Sequence, residues 1–334
     1  MHAGENLRTV LITGATGFVG SALRPALIGR GYRVRGTTRR LRDGLDERVE
    51  WVEADLDRPE TLDDALRGVH CAFYLVHSMG GDHVDFAAAE RRCAQDFAAC
   101  ASRAGVQRIV YLGGPAPRGR ASPHLASRLQ VGSILRASAV PTIELRASMI
   151  MGHDSASWQI VRDLSLRLPA MILPKWLDSR TCPVALDDVV VALADAVELD
   201  VTSSAWFDIP GPEALSAREV IERIVALCGR SLPAIRVPIL TPRLSALWLK
   251  LVSRANFSLA RELVLGLEDD ILPRDDRYWG LTNHGPRISF DETARRLLAS
   301  EGRQPGWSGL LARVEESLVQ RLSPKKSDVR RVAR

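Results

Sequence analysis

The run SPHLASRLQVG, residues 122–132, places His124 and Arg128 four residues apart. On a helix that spacing puts them one turn apart on the same face. An imidazole that titrates near pH ~6.5 suits proton transfer at neutral pH. A guanidinium beside it would disfavour the protonated ring and could hold an anionic or hydroxylated ligand. Three readings stay open: a substitute acid, a pair that only grips a ligand, or two polar residues on a solvated helix flank. A second histidine, His77, stands with Ser78 just beyond the apolar run CAFYLV. His77 and His83 lie close in sequence, but no cysteine or carboxylate spacing accompanies them, and no metal site is expected.

A phosphate-binding loop is the stronger motif. In LITGATGFVGSAL, Gly14, Gly17 and Gly20 follow a short β-rich run, TVLIT, and open a helix. Gly14 would allow a tight turn, Gly17 a close approach of backbone to a pyrophosphate, and Gly20 close packing of helix on strand. The helix N-terminus would offer free N–H groups and a partial positive charge to phosphates. The second strand, YRVRGTT, runs into TTRRLR, which holds Arg39, Arg40 and Arg42 and no acid before Asp43. A dinucleotide site for NAD wants an acid there, and one for NADP wants a cation. NADP(H) is therefore expected over NAD(H). Asp55, after the third strand, is a candidate for the adenine end, with a cap ahead of Pro59 as its structural alternative.

These residues need a scaffold, and the first half supplies one. Strand-like runs at 9–13, 32–38, 49–55, 71–76, 108–114 and 142–148 alternate with helical stretches, among them PETLDDALRG and an Ala-rich helix over roughly 84–104. That rhythm implies βαβ units, a buried parallel sheet and a doubly wound α/β (Rossmann) fold. After residue 150 the rhythm loosens into a smaller C-terminal α/β lobe. The expected division is 1–150 for nucleotide binding, 151–322 for substrate or partner, and 323–334 for a basic flexible tail. Arg146 reads as structural. Asp187 and Asp188 read as helix caps. Trp176, Trp206, Trp248 and Trp279 read as core, with a pocket for a flat ring as the alternative. The apolar run PILTPRLSALWLKLVS reads as lobe packing, with peripheral membrane or protein contact as the alternative.

Composition narrows the class. The 334 residues carry a net charge of +5. Five Lys or Arg against one Asp in 324–334 supply four of those charges, so the body is near neutral and nucleic acid is not an expected partner. The five cysteines are scattered and form no C-x-x-C, which suggests a reducing cytoplasm. No apolar run is long enough to span a membrane.

The segments TGATGFVG, EADL, YLVHSMGG, RIVYLGG, SPHLASRLQVGSILRASAVPTIELRASMIMG and PVALDDV together resemble the short-chain dehydrogenase/reductase superfamily. The likeness is greatest to its extended, atypical NAD(P)H-binding branch, which includes NmrA-like sensors and proteins similar to the Rossmann accessory subunit of respiratory complex I. The resemblance implies that Gly14, Thr16, Gly17, Phe18, Val19 and Gly20 form the pyrophosphate loop and that Arg39, beside Arg40, selects NADP. It places Asp55 and Leu56 at the adenine, and Leu75, Val76, His77 and Ser78 beside the nicotinamide ribose. Active members use a Ser at the end of the fifth strand and a Tyr-x-x-x-Lys on the next helix. Here Gly113 and Gly114 stand at the Ser, His124 at the Tyr and Arg128 at the Lys. The implied activity is an atypical oxidoreductase acting on a small carbonyl or quinone, with His124, Arg128 and His77 as candidate catalytic groups. The alternatives are a non-catalytic NADP(H) sensor or accessory protein and, more weakly, a sugar-nucleotide epimerase.

Overall fold

The computed structural model describes residues 7–76, 86–119, 121–167, 171–173, 175–230, 234–236 and 270–301. Seven parallel strands form the central sheet: β1 (Thr9–Thr13), β2 (Arg33–Thr38), β3 (Glu50–Glu53), β4 (Cys71–Tyr74), β5 (Arg108–Gly113), β6 (Thr142–Arg146) and the strand Ala205–Asp208. From one edge to the other the order is Ala205–Asp208, β6, β5, β4, β1, β2, β3. The chain therefore starts in the middle, winds outward through β2 and β3, and returns beside β1 as β4. This is the doubly wound α/β fold expected from the strand–helix rhythm, and its direction reverses between β1 and β4.

Alternation along each strand sends side chains to two cores. Val10, Ile12, Phe73, Val110, Leu112, Ile143 and Leu145 face the helices α1 (Phe18–Gly29) and α6 (Leu186–Asp195). Leu11, Ala72, Tyr74, Ile109 and Tyr111 face α2 (Leu62–Leu66), α3 (Phe86–Arg103) and α4 (Pro123–Arg136). A sheet covered on both faces needs near-continuous apolar strands, which TVLIT and CAFY provide. Ser122 caps α4 by accepting from Leu125 N–H, and Pro123 occupies its first position.

Beyond residue 150 the structure departs from the sequence reading in two places. Ala205–Asp208, expected in the smaller lobe, pairs in parallel with β6 and extends the main sheet. Its Phe207 and Ile209 complete the first core. Asp187 and Asp188 do not cap α6, which opens at Leu186 after Ala185 with no side-chain cap. Asp188 is instead buried, accepting from Ile288 N–H at 2.9 Å and pairing with His284 Nε2 at 3.2 Å. It fastens the 284–288 segment to α6, a long-range contact that sequence spacing does not reveal. Asp187 is exposed and lies 3.7 Å from Arg296. A separate core gathers Trp158, fully buried on α5 (Ala156–Arg167), with Val220 and Ile224 of α7 (Ala217–Leu227) and Phe290. Trp279 is buried and Trp206 lies under Arg146. Trp248, the run 238–253 and the tail 323–334 lie outside the described residues. No helix among the described residues is long and apolar enough to cross a membrane.

A buried charge cluster sits under α4. Glu144, wholly buried on β6, accepts from Arg146 at 2.9 and 3.2 Å and from Arg136 of α4 at 2.7 Å. Arg146 stacks 4.3 Å from the Trp206 ring. Only a glycine at 132 leaves room, since a Cβ there would collide with the Glu144 carboxylate. Removing one member of such a buried set strands the other charges. Glu144→Ala is expected to lower stability by about 3–5 kcal/mol, whereas Arg136→Ala, whose side chain is partly exposed, costs less. Urea unfolding of both variants checks the order.

Candidate functional site

The site begins where β1 ends. Thr13 Oγ1 donates to the Phe73 carbonyl at 3.0 Å and accepts from Leu75 N–H at 3.1 Å. One hydroxyl thus ties β1 to the end of β4 at the point where the winding reverses. Gly14 follows with φ +69°, a conformation that glycine adopts without strain. A Cβ on it would lie 3.0 Å from the Leu75 carbonyl oxygen. Gly20, one turn into α1, rests on the Gly14 carbonyl so closely that a Cβ would overlap it. Gly17 N–H closes the loop onto Gly14 O at 2.9 Å. The first turn of α1 has no side-chain cap and no acidic residue. Its N–H groups and the positive end of the helix are therefore left for an anion.

A cleft of about 910 Å³ opens in front of this loop. Of the residues expected to bind a nucleotide, Gly14, Thr16, Gly17, Arg39, Arg40, Asp55, Leu56, Leu75 and Val76 line it. Phe18, Val19 and Gly20 form the first helical turn behind the loop, and the Phe18 ring packs against Gly152. His77 and Ser78 lie outside the described residues. Arg42 also lines the cleft. Among the described residues, no carboxylate pairs with Arg39, Arg40 or Arg42, although neighbouring arginines do pair, as Arg35 does with Glu50 at 2.9 Å. Asp55 does not cap the turn at Pro59. Its Oδ1 accepts from Asp57 N–H at 3.2 Å.

Several lining residues escaped the sequence reading. Tyr74, Glu90, Cys93 and Val131 line the cleft from β4, α3 and α4. Glu90 lies on a helix that reads only as amphipathic packing, and Val131, on the helix of His124 and Arg128, is an apolar residue that no local motif marks. Burial pushes the Tyr74 phenol well above its ordinary range. Burial and the Asp57 carboxylate, which accepts from Cys93 Sγ at 3.3 Å, push the Cys93 thiol up to about 12. That thiol is not a nucleophile at neutral pH.

His124 and Arg128 share a face of α4, as their spacing implies, but neither is among the residues lining the cleft. Arg128 Nη2 donates to the Leu112 carbonyl at the end of β5 at 3.0 Å, and Tyr111 Oη donates to the Arg128 carbonyl at 3.0 Å. Arg128 Nε is buried without a partner among the described residues. Gly113 faces a carboxylate held in place by Arg136 and Arg146, whereas Gly114 faces only the movable tip of Leu125. A Cβ at 113 would lie 2.9 Å from Glu144 Oε1, and one at 114 would lie 2.8 Å from Leu125 Cδ1.

Comparison with known proteins agrees with this geometry. Residues 10–131 match the NAD dependent epimerase/dehydratase family. Cinnamoyl-CoA reductase 1 of Oryza sativa subsp. japonica is 32% identical over 112 residues, 30% of this chain and 33% of that protein. Sterol demethylase protein B of Methylococcus capsulatus is 34% identical over 186 residues, 50% of this chain and 52% of that protein. The chain thus matches about a quarter to a half of the length of such curated relatives. Among solved structures, a short-chain dehydrogenase/reductase superfamily protein from Agrobacterium tumefaciens with bound NAD has a TM-score of 0.64 at 19% identity. The match covers 89% of this chain and 100% of that one. The UDP-glucuronic acid 4-epimerase from Bacillus cereus in complex with NAD has a TM-score of 0.64 at 14% identity, covering 87% and 99%. At these identities the solved structures share the fold.

The His124 ring is half-buried. Burial and then the Arg128 charge hold its pKa below the ordinary histidine value, and the Glu90 carboxylate opposes them. The folded chain therefore binds this proton less readily than the unfolded chain does. Its contribution to stability is full above about pH 6.5 and is lost as the pH falls below that value. In His124→Gln the decline in stability between about pH 6.5 and 5 should be shallower than in the parent, as read by urea midpoints across that range. An unchanged slope would assign the decline to other groups, such as His70, whose pKa burial also lowers.

Proposed function

We propose that the chain, whose residues 10–131 match the NAD dependent epimerase/dehydratase family, is an NADP(H)-dependent oxidoreductase acting on a small carbonyl or quinone. The observation that carries the cofactor choice is the set of guanidinium groups of Arg39, Arg40 and Arg42, which line one end of the cleft without carboxylate partners among the described residues. A 2′-phosphate dianion is the ligand that such a cluster suits. Thr37 and Thr38 stand where a site for NAD would place an acid. The uncapped first turn of α1, with Gly14 and Gly17 before it, suits the pyrophosphate. Asp55 and Leu56 would border the adenine. Leu75 and Val76, with His77 and Ser78 beyond them, would border the nicotinamide ribose.

When bound, the cofactor supplies hydride, and the protein supplies geometry and a proton. His124, on the same face of α4 as Arg128, is the proton donor in this reading. Its low pKa makes the neutral ring the main form at pH 7, so reduction should slow as the pH rises through its titration. Arg128 acts by fastening α4 to β5 through the Leu112 carbonyl. Cytoplasmic location belongs to the same proposal.

One observation favours a second reading. The buried Arg128 Nε, unpartnered among the described residues, lies near Gly114, 3.8 Å from where a Cβ would stand. It is a donor left over for a ligand oxygen, which suits a protein that grips NADP(H) without turning it over, as a sensor or accessory subunit. Calorimetric titration with NADPH and NADH separates the cofactor question from the catalytic one. NADPH is expected to bind more tightly than NADH. Arg39→Ala with Arg40→Ala should weaken NADPH binding about 10-fold or more while leaving NADH nearly unchanged. Equal affinities in the parent would remove the 2′-phosphate assignment. Consumption of NADPH with a quinone or aldehyde panel, lost in His124→Gln, would then favour the enzyme over the sensor.

A further inference from the structure

Glu90 is the most deeply buried charged group on the wall of the cleft, at 6% exposure. It lies on α3, and Ser127 of α4 donates its hydroxyl to Glu90 Oε2. Ser127 is itself buried. On α4, residues 124, 127, 128 and 131 recur at the spacing of one helical stripe. That stripe starts at Val131, which lines the cleft, and ends at His124, roughly 10 Å further along the axis at ~1.5 Å per residue. A carboxylate facing the cleft is thus hydrogen-bonded to a side chain one turn from the imidazole. Among the described residues the charges acting on that ring are Arg128, from its own helix, and Glu90, from α3.

We infer that Glu90 is a positioning residue which, through Ser127 and the α4 stripe, couples occupancy of the cleft to His124. The inference rests on the reading of the cleft as a dinucleotide site. A carboxylate buried in a cleft wall changes its surroundings when the cleft fills, because water leaves and ligand dipoles and phosphates arrive. Ser127 fixes the carboxylate in place, so that change reaches the α4 stripe as a shift in field and not as a loose side-chain motion. The coupling is reciprocal, as any linkage between two sites must be. A cofactor bound in the cleft alters the proton affinity of His124, and protonation of His124 alters the affinity for cofactor.

The test follows the His124 Cε1–H resonance through a pH titration of the full chain by NMR, with and without saturating NADPH. His124→Gln assigns the peak. In the free protein, Glu90→Gln should lower the His124 midpoint by about half a unit or more, because the carboxylate that opposes burial and Arg128 among the described residues is gone. NADPH should shift the midpoint in the parent, and that shift should fall to less than half in Glu90→Gln and in Ser127→Ala. Ser127→Ala changes one hydroxyl and guards against misfolding of the Glu90 variant. A midpoint unmoved by Glu90→Gln overturns the proposal, as does an NADPH-induced shift of full size in both variants. A Glu90 that only cements the helices would lower stability and leave the shift intact. If calorimetry shows no NADPH binding, the cofactor reading fails, and the free-protein midpoints still decide whether Glu90 governs His124.

Discussion

Everything at the site depends on how closely the first turn of α1 approaches the end of β1. Gly20 lies against the Gly14 carbonyl with no room for a Cβ. That contact sets the height of the helix N-terminus above the sheet edge. Gly14, at φ +69°, turns the chain there and passes under the Leu75 carbonyl. Thr13 holds the same two strands from inside by bonding to Phe73 and Leu75. The helix dipole, the reversal of winding and the mouth of the cleft therefore meet within a few residues. A larger side chain at 14 or 20 would move the helix away from the strand, and the free N–H groups of its first turn with it.

The second constraint lies across the sheet, at the end of β5. Gly113 faces Glu144, and Gly114 faces Leu125. The space a serine would need is already filled, by a buried carboxylate in one case and a leucine in the other. Glu144 is held by Arg146 and Arg136, and Gly132 gives it room. Gly113, Gly132 and Glu144 are thus parts of one packed region. A serine at 113 alone would press on a charged cluster whose members depend on each other. The same holds on α4, where Arg128 is committed to the Leu112 carbonyl.

The sequence showed most clearly what is local. Strand and helix periodicity, the glycine spacing from 14 to 20 and the Arg39–Arg42 run each depend on residues a few positions apart, and the structure places them together at one cleft. Less visible was anything made by elements distant in sequence. Glu90 meets Ser127 across 37 residues, and Arg146 meets Trp206 across two adjacent strands. Asp188 looked like a cap because an acid at a helix start usually is one. A partner 96 residues away, His284, gave it a different task. Ala205–Asp208 looked like part of a second lobe because its neighbours in sequence do not alternate regularly. Its pairing with β6 is a property of the sheet edge, which β6 leaves open until a later strand covers it.

Distance in sequence also separates what is legible of a phosphate site from what is legible of proton transfer. A phosphate site needs N–H groups and cations, and one loop and one strand end can supply both. Proton transfer needs a group whose acidity is set by whatever is packed around it. For His124 those neighbours are Arg128, one turn away on its own helix, and Glu90, on a helix whose sequence reads only as packing. Burial and Arg128 push the ring toward its neutral form while Glu90 pulls it back, so its protonation is the resultant of opposing effects from two helices. The spacing of His124 and Arg128 identifies a pair. Its chemistry is decided where α4 meets α3, at the wall that also closes the cleft.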